Sequence, residues 1–232
     1  MKIAILGTGM VGQTIAEKVA SLGHEVTMGT RNVEKTLATK GKDAMGRPAI
    51  GEWLLKHPEI KLGHLSEAAA FGELIVNATS GFGALNALEH AGQDNLKNKV
   101  LLDISNPLDF SKGVPPSLWV CNTDSLGEQI QRAFPETKVV KSLNTMNALI
   151  MVNPSLVPGD HSVFMSGNDA GAKLQIRKLL TSFGWKDRNI IDLGDISSAR
   201  GTEQLLPIWV RLMGAFGHPM FNFSIVKATP AQ

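Results

Sequence analysis

Two residue types are nearly missing from this chain: it has no tyrosine, and among its 232 residues one cysteine, Cys121. Without tyrosine, an oxidoreductase built on a catalytic Tyr and Lys pair is excluded by counting. A lone cysteine excludes an internal disulfide framework, CxxC redox chemistry and thiolate zinc sites, and it fits a reducing cytosol. An excess of positive or negative residues is lacking too. Twenty-three Lys and Arg stand against 21 Asp and Glu, a formal +2 spread along the chain. No nucleic-acid or membrane surface follows from that balance, so any anion must be bound locally. Long apolar runs are also lacking. The opening segment reaches Gly7 after Ile3, Ala4, Ile5 and Leu6, too few residues for a signal-peptide core. Leu205 to Gly217 is broken by Pro207 and Arg211 and is too short to cross a bilayer. A cytoplasmic protein is expected. The six histidines, His24, His57, His64, His90, His161 and His218, show no metal-ligand spacing, so no metal site is expected and no catalytic acid or base stands out.

The chain has 43% apolar and 19% charged residues, the composition of a globular protein. Lys2 to Leu6 reads as a buried parallel strand ending at Gly7. Ile15, Ala16, Val19, Ala20 and Leu22 then form a helical stripe closed by Gly23, and His24 to Gly29 is the next strand, completing one βαβ unit. Further strands are expected at Ile60 to Leu62, Leu74 to Ala78, Val100 to Ile104, Lys138 to Leu143, Ser162 to Ser166 and Ile190 to Leu193. Helices are expected at Val33 to Lys40, around Trp53 in a Gly, Lys and Pro-containing insert, at Ser66 to Phe71, at Asp124 to Phe134 with Ser125 and Glu128 as a capping box, at Ala170 to Phe183, and at Ser197 to Gly217. This alternation predicts an α/β fold with a doubly wound, mostly parallel sheet.

The central motif is Gly7-Thr8-Gly9-Met10-Val11-Gly12, a GxGxxG between a strand and a helix. Gly7 permits the tight turn, Gly9 lets the backbone approach a pyrophosphate, and Gly12 lets the helix pack on the strand. The helix amides then face the negative charge. The second strand ends in Gly29-Thr30-Arg31-Asn32, where a site for NAD would carry an acid against the ribose 2′-hydroxyl. No acid stands there. A carboxylate would repel a 2′-phosphate, whereas Thr30 donates a hydrogen bond and Arg31 offers a planar charged fork, with Lys35 one helical turn on. NADP(H) is the expected cofactor. Strand ends at Asn77-Ala78-Thr79-Ser80, Asp103-Ile104-Ser105-Asn106 and Ser142-Leu143-Asn144-Thr145-Met146-Asn147-Ala148 converge on the carboxyl edge, where small and amide side chains leave room for ribose and nicotinamide. Lys141 and Asp103 form a conceivable acid–base pair, although their place within strands favours a structural role. Phe82, Met146, Met213 and Phe216 are candidates for an apolar wall.

These motifs resemble the family of NADPH-dependent coenzyme F420 oxidoreductases. The likeness runs through Met1 to Asn32 and returns at Val139-Val140-Lys141-Ser142-Leu143-Asn144-Thr145-Met146 and at Asp192-Leu193-Gly194-Asp195-Ile196-Ser197-Ser198-Ala199-Arg200. Asp43 to Lys61 matches least. The resemblance implies a Rossmann domain at residues 1–150 and a smaller part at residues 151–232 that supplies the acceptor pocket and a homodimer contact. It implies hydride transfer between NADPH and a deazaflavin or flavin. Carried over by position, Thr8, Gly9, Met10 and Val11 hold the pyrophosphate, Thr30, Arg31 and Lys35 the 2′-phosphate, and Ala78, Ser105 or Asn106, and Ala148 the rest of the dinucleotide. Thr79 and Asn144 belong to the same strand ends. The chain departs from the family at Asn144 to Asn147, where the reductases carry a His-Thr-Ile-Pro type segment facing the deazaflavin. Two further readings use the same cofactor half: an NADPH-dependent reductase of another small acceptor, such as a ferric chelate or an imine, and a non-catalytic NADP(H) sensor.

Overall fold

The computed structural model describes residues 1–41 and 48–228. The chain opens with β1 (Lys2–Leu6), α1 (Met10–Ser21) and β2 (Glu25–Thr30), then α2 (Val33–Ala38), α3 (Ile50–Leu54), β3 (Ile60–His64), α4 (Leu65–Phe71) and β4 (Leu74–Asn77). Next come α5 (Ala84–Ala91), α6 (Gln93–Leu96), β5 (Val100–Asp103), a small antiparallel ribbon of β6 (Leu108–Asp109) and β7 (Ser117–Leu118), α7 (Leu126–Ala133), β8 (Lys138–Ser142) and α8 (Ala148–Val152). The last elements are β9 (Val163–Gly167), α9 (Ala170–Ser182), β10 (Ile190–Asp192), α10 (Ala199–Gln204) and α11 (Leu206–Phe216). The expected insert helix around Trp53 is α3, while the part of that insert at residues 42–47 lies outside the described residues.

Eight strands form one sheet in the order β10-β9-β8-β5-β4-β1-β2-β3. All neighbours are parallel except β8 and β9, which pair antiparallel. The order reverses direction beside β1, so the strand that carries the glycine turn sits at the switch point, where an open α/β sheet leaves a crevice. Strands after residue 150 extend this same sheet, because β9 pairs with β8 through Ser142 and Met165.

Alternation along β1 explains why both sheet faces are covered. Ile3 and Ile5 point into a core with Ile15, Val19, Trp53 and Trp185, while Ala4 and Leu6 point into another with Ala68, Leu88, Leu101 and Phe134. Each fully buried Ile or Leu contributes about 1.5–3 kcal/mol. Helix α1 buries Ile15, Ala16 and Val19 and ends at Ser21, with Leu22 as its cap and Gly23 at φ 81°, the left-handed residue that stops a helix. Leu22, expected on the buried stripe, lies past the helix end and is exposed, since the chain turns away there.

The stretch from Ser197 to Gly217, expected as one helix, is two. A short 3-10 turn (Ile196–Ser198) leads into α10, Leu205 joins it to α11, and Pro207 stands in the first turn of α11. Proline is accommodated there because its missing N–H would have had no partner in a first turn. Ser125 caps α7 as expected: its hydroxyl accepts from Glu128 N at 3.1 Å and donates to Glu128 Oε2 at 2.7 Å. No helix is long and apolar enough to cross a membrane among the described residues.

Candidate cofactor-binding site

The three glycines of the turn do different work. Gly7 adopts φ 113°, and a Cβ there would stand 2.7 Å from Ala78 O, so the β1 end lies directly against the β4 end. At Gly12 a Cβ would collide with the Gly7 carbonyl, which fixes the close approach of α1 to the turn. Gly9 is the opposite case: nothing lies within 4 Å of its absent Cβ. It caps α1 without a side-chain hydrogen bond, and no acid sits in the first turn. The positive end of this twelve-residue helix therefore faces open space beside a bare backbone, the geometry that receives a pyrophosphate.

A cleft of about 230 Å3 opens here, lined by Gly7, Thr8, Gly9, Gly29, Thr30, Arg31, Leu65, Ala78, Thr79, Ser80, Gly83 and Ala87. The cofactor-binding candidates Gly7, Thr8, Gly9, Thr30, Arg31, Ala78 and Thr79 are brought together in it, with Gly29 and Ser80 from the same motifs. Thr30 and Arg31 stand at its β2 edge. The Thr30 hydroxyl bonds the Thr36 hydroxyl at 2.7 Å, and Arg31 forms no ion pair among the described residues. Met10, Val11 and Gly12 belong to the first turn of α1 and lie outside the cleft lining. Lys35 is exposed on α2, outside the cleft lining, and its N–H is held by Asn32 Oδ1 at 2.7 Å.

The remaining candidates lie further along the carboxyl edge and outside the cleft lining. Ser105 is buried and its hydroxyl donates to Asp103 Oδ1 at 2.7 Å. Asn106 and Asn144 bind each other, Asn106 Nδ2 to Asn144 O and Asn144 Nδ2 to Asn106 Oδ1, each at 2.9 Å. Leu143, just before them, takes φ 63°, a left-handed conformation costly for a branched side chain, and the paired amides hold that turn in place. Ala148 is buried at the start of α8, which packs on α1. Thr79 is tied into the same edge, because its hydroxyl donates to Asn77 Oδ1 at 2.6 Å and Asn77 Nδ2 donates to Asp103 Oδ1 at 2.8 Å.

The apolar-wall candidates are not gathered. Met146 is core, Phe82 is 84% exposed beside the cleft residues Ser80 and Gly83, and Phe216 is 53% exposed on α11 with Met213 half-buried. His161 is structural: Nε2 meets Pro154 O at 2.9 Å, Nδ1 meets Asn222 Nδ2 at 2.9 Å, and its ring edge packs on Trp185. Among the described residues no cluster of His, Cys, Asp and Glu could hold a metal. Leu65, Gly83 and Ala87 also line the cleft, although no sequence motif points to them. They carry no charged or motif signature: Leu65 opens α4, Gly83 caps α5 and Ala87 lies on α5, and tertiary packing of those helices brings them to the cleft.

Known proteins are similar in sequence and fold. The family described as NADP oxidoreductase, coenzyme F420-dependent, matches residues 2–107. A crystal structure from Arthrobacter sp. FB24, provisionally described as an F420-dependent NADP-reductase, is 56% identical, covers 98% of this chain and 100% of its own, and superposes with a TM-score of 0.92. The F420-dependent NADP reductase of Methanothermobacter thermautotrophicus is 27% identical over 221 residues, 91% of this chain and 89% of that protein. Metalloreductase STEAP3 of Rattus norvegicus is 25% identical over 213 residues, which is 90% of this chain but 38% of the length of that protein. With an open glycine cradle, an arginine in place of the acid at the β2 end and a relative that matches over its whole length, the chain belongs to the coenzyme F420-dependent NADP oxidoreductase family.

Proposed function

We propose that this protein transfers a hydride between NADPH and a deazaflavin of the coenzyme F420 type or a related flavin. The observation that carries the reading is the pairing of an unobstructed α1 N-terminus at Gly9 with Arg31 at the adjoining strand end. NADPH supplies the hydride when bound, and the chain has to hold it, orient it and keep water away. In this reading Gly7, Thr8, Gly9, Met10, Val11 and Gly12 form the pyrophosphate cradle. Thr30, Arg31 and Lys35 take the 2′-phosphate, and Ala78, Thr79, Ser105, Asn106, Asn144 and Ala148 border the path to the nicotinamide. The reciprocal Asn106 and Asn144 amides support that assignment by fixing the β5 and β8 ends as one rigid edge. Hydride transfer between two rings needs no protein acid or base.

Residues 1–150 act as the cofactor half in this account and residues 151–232 as the acceptor and dimer half. A homodimer is favoured by α11, where Leu206 alone is buried and Ile208 and Phe216 are about half exposed in a single chain. A cytoplasmic setting fits the single exposed cysteine. The test is steady-state oxidation of NADPH with deazaflavin, flavin and ferric acceptors offered in parallel. Bleaching of NADPH with the deazaflavin supports the reading. Turnover confined to the ferric acceptor overturns the choice of acceptor, and binding with no turnover for any of them overturns the enzymatic reading in favour of a sensor.

A further inference from the structure

A second recess adjoins the cleft at Arg31. It holds about 140 Å3 and is lined by Thr30, Arg31, His64, Leu65, Ser66 and His90. Thr30, Arg31 and Leu65 also line the main cleft, so the two spaces meet at the β2 end. The topology enforces the meeting. Thr30 is in register with His64 across the parallel pair of β2 and β3, and α5 brings Ala87 to the cleft and His90, one turn later, to the recess.

The hydrogen bonds define what these histidines can offer. His90 Nδ1 lies 2.7 Å from Asn86 O. A carbonyl only accepts, so Nδ1 carries the hydrogen and Nε2 is the nitrogen left for a ligand. The His64 backbone N–H is fixed by Glu67 Oε2 at 2.8 Å, which anchors the residue at the mouth of α4. The charged groups on the surrounding elements are Arg31, Glu34 and Lys35 from the β2 and α2 side, Lys61 on β3, Glu67 on α4 and Glu89 on α5. Of these, Arg31 alone lines the recess.

We propose that His64 and His90, with the Ser66 hydroxyl, complete the seat of the 2′-phosphate that Thr30 and Arg31 begin, and are specificity-determining residues for NADP(H) over NAD(H). A phosphate dianion stabilises an imidazolium beside it, so binding draws a proton to the pair and turns His90 Nε2 into a donor. The inference rests on the NADP(H) reading given above.

Calorimetric titration of the full chain with NADP+ and NAD+ tests it, run near neutral pH in two buffers of unlike ionisation enthalpy. Wild type, the double variant His64→Gln with His90→Gln, and Arg31→Ala are compared. The double variant should bind NADP+ about tenfold more weakly, bind NAD+ as before, and lose a proton uptake that wild type shows with NADP+ alone. Unchanged NAD+ binding also reports an intact fold. Equal weakening of both cofactors would place the histidines against the adenine and overturn the proposal, as would unchanged NADP+ binding. If wild type fails to prefer NADP+, or Arg31→Ala leaves it untouched, the cofactor reading itself falls and this inference with it.

Discussion

Lys141 Nζ lies 2.7 Å from Asp103 Oδ2, and neither side chain is exposed. The ammonium also meets Glu203 Oε1 at 2.8 Å and Ser105 O at 2.6 Å, so its three donors are all used. Burial pulls the lysine pKa down, but Asp103 and Glu203 more than offset it, and Lys141 is held above the ordinary lysine value. A proton carrier for substrate would need contact with solvent or ligand. This pair instead ties β5 and β8 to α10, whose Glu203 also accepts from Leu126 N at 2.8 Å and Gly127 N at 3.0 Å.

Lys141→Met should therefore act on stability. Removing the cation strands two buried carboxylates, and a loss of about 3–5 kcal/mol is expected in denaturant unfolding. A variant of native stability that had lost only turnover would return Lys141 to the chemistry.

Gly9→Val and Gly12→Val should part company. With no atom within 4 Å of its absent Cβ, Gly9 tolerates a side chain as far as the fold is concerned, so Gly9→Val should melt like wild type and fail to bind NADPH. Gly12→Val drives a side chain into the Gly7 carbonyl and should be unstable. Thermal melting with and without NADPH distinguishes them, and retained binding in Gly9→Val would mean the turn holds no dinucleotide.

Arg200 grips Glu128 from α10, its Nε 2.8 Å from Oε2 and its Nη2 2.6 Å from Oε1. Chiefly through that contact the Glu128 carboxyl titrates below its ordinary value. A carboxyl whose folded pKa is depressed stabilises the fold above its unfolded pKa and loses that contribution as pH falls through the folded one. Arg200→Ala should thus be less stable than wild type at pH 7, and the difference should close in acid. A gap that persists at pH 2 would show that Arg200 acts by packing.

Helix α11 makes the oligomeric state testable. Replacing the half-exposed Ile208 by Glu should convert a dimer to a monomer in sedimentation equilibrium while leaving the far-UV spectrum unchanged. A wild-type chain that sediments as a monomer contradicts the proposed contact.

How much was legible in the residues depended on side-chain size. The βαβ opening could be read because Ile3 to Leu6 is an unbroken apolar run and Ile15, Ala16 and Val19 recur at helical spacing. By contrast α5 is easily passed over: it buries Ala84, Ala87, Leu88 and Ala91, a mostly alanine face only eight residues long that follows Gly81-Phe82-Gly83. That gap matters for the site, since Ala87 and His90 both come from α5. The antiparallel entry of β9 leaves no local trace, because strand direction is set by how the chain returns to the sheet. The split between α10 and α11 was foreshadowed by Pro207 but depends on Leu205, which looks like any helical residue. Thr30 and Arg31 were readable because the glycine fingerprint fixes where the second strand must end.

The most direct measurement compares NADPH and NADH affinity in wild type and Arg31→Ala. Wild type should bind NADPH far more tightly, and the substitution should cost about 1.5–3 kcal/mol of NADPH affinity while sparing NADH. Equal affinities in wild type, or equal losses for both cofactors in the variant, would contradict the 2′-phosphate assignment.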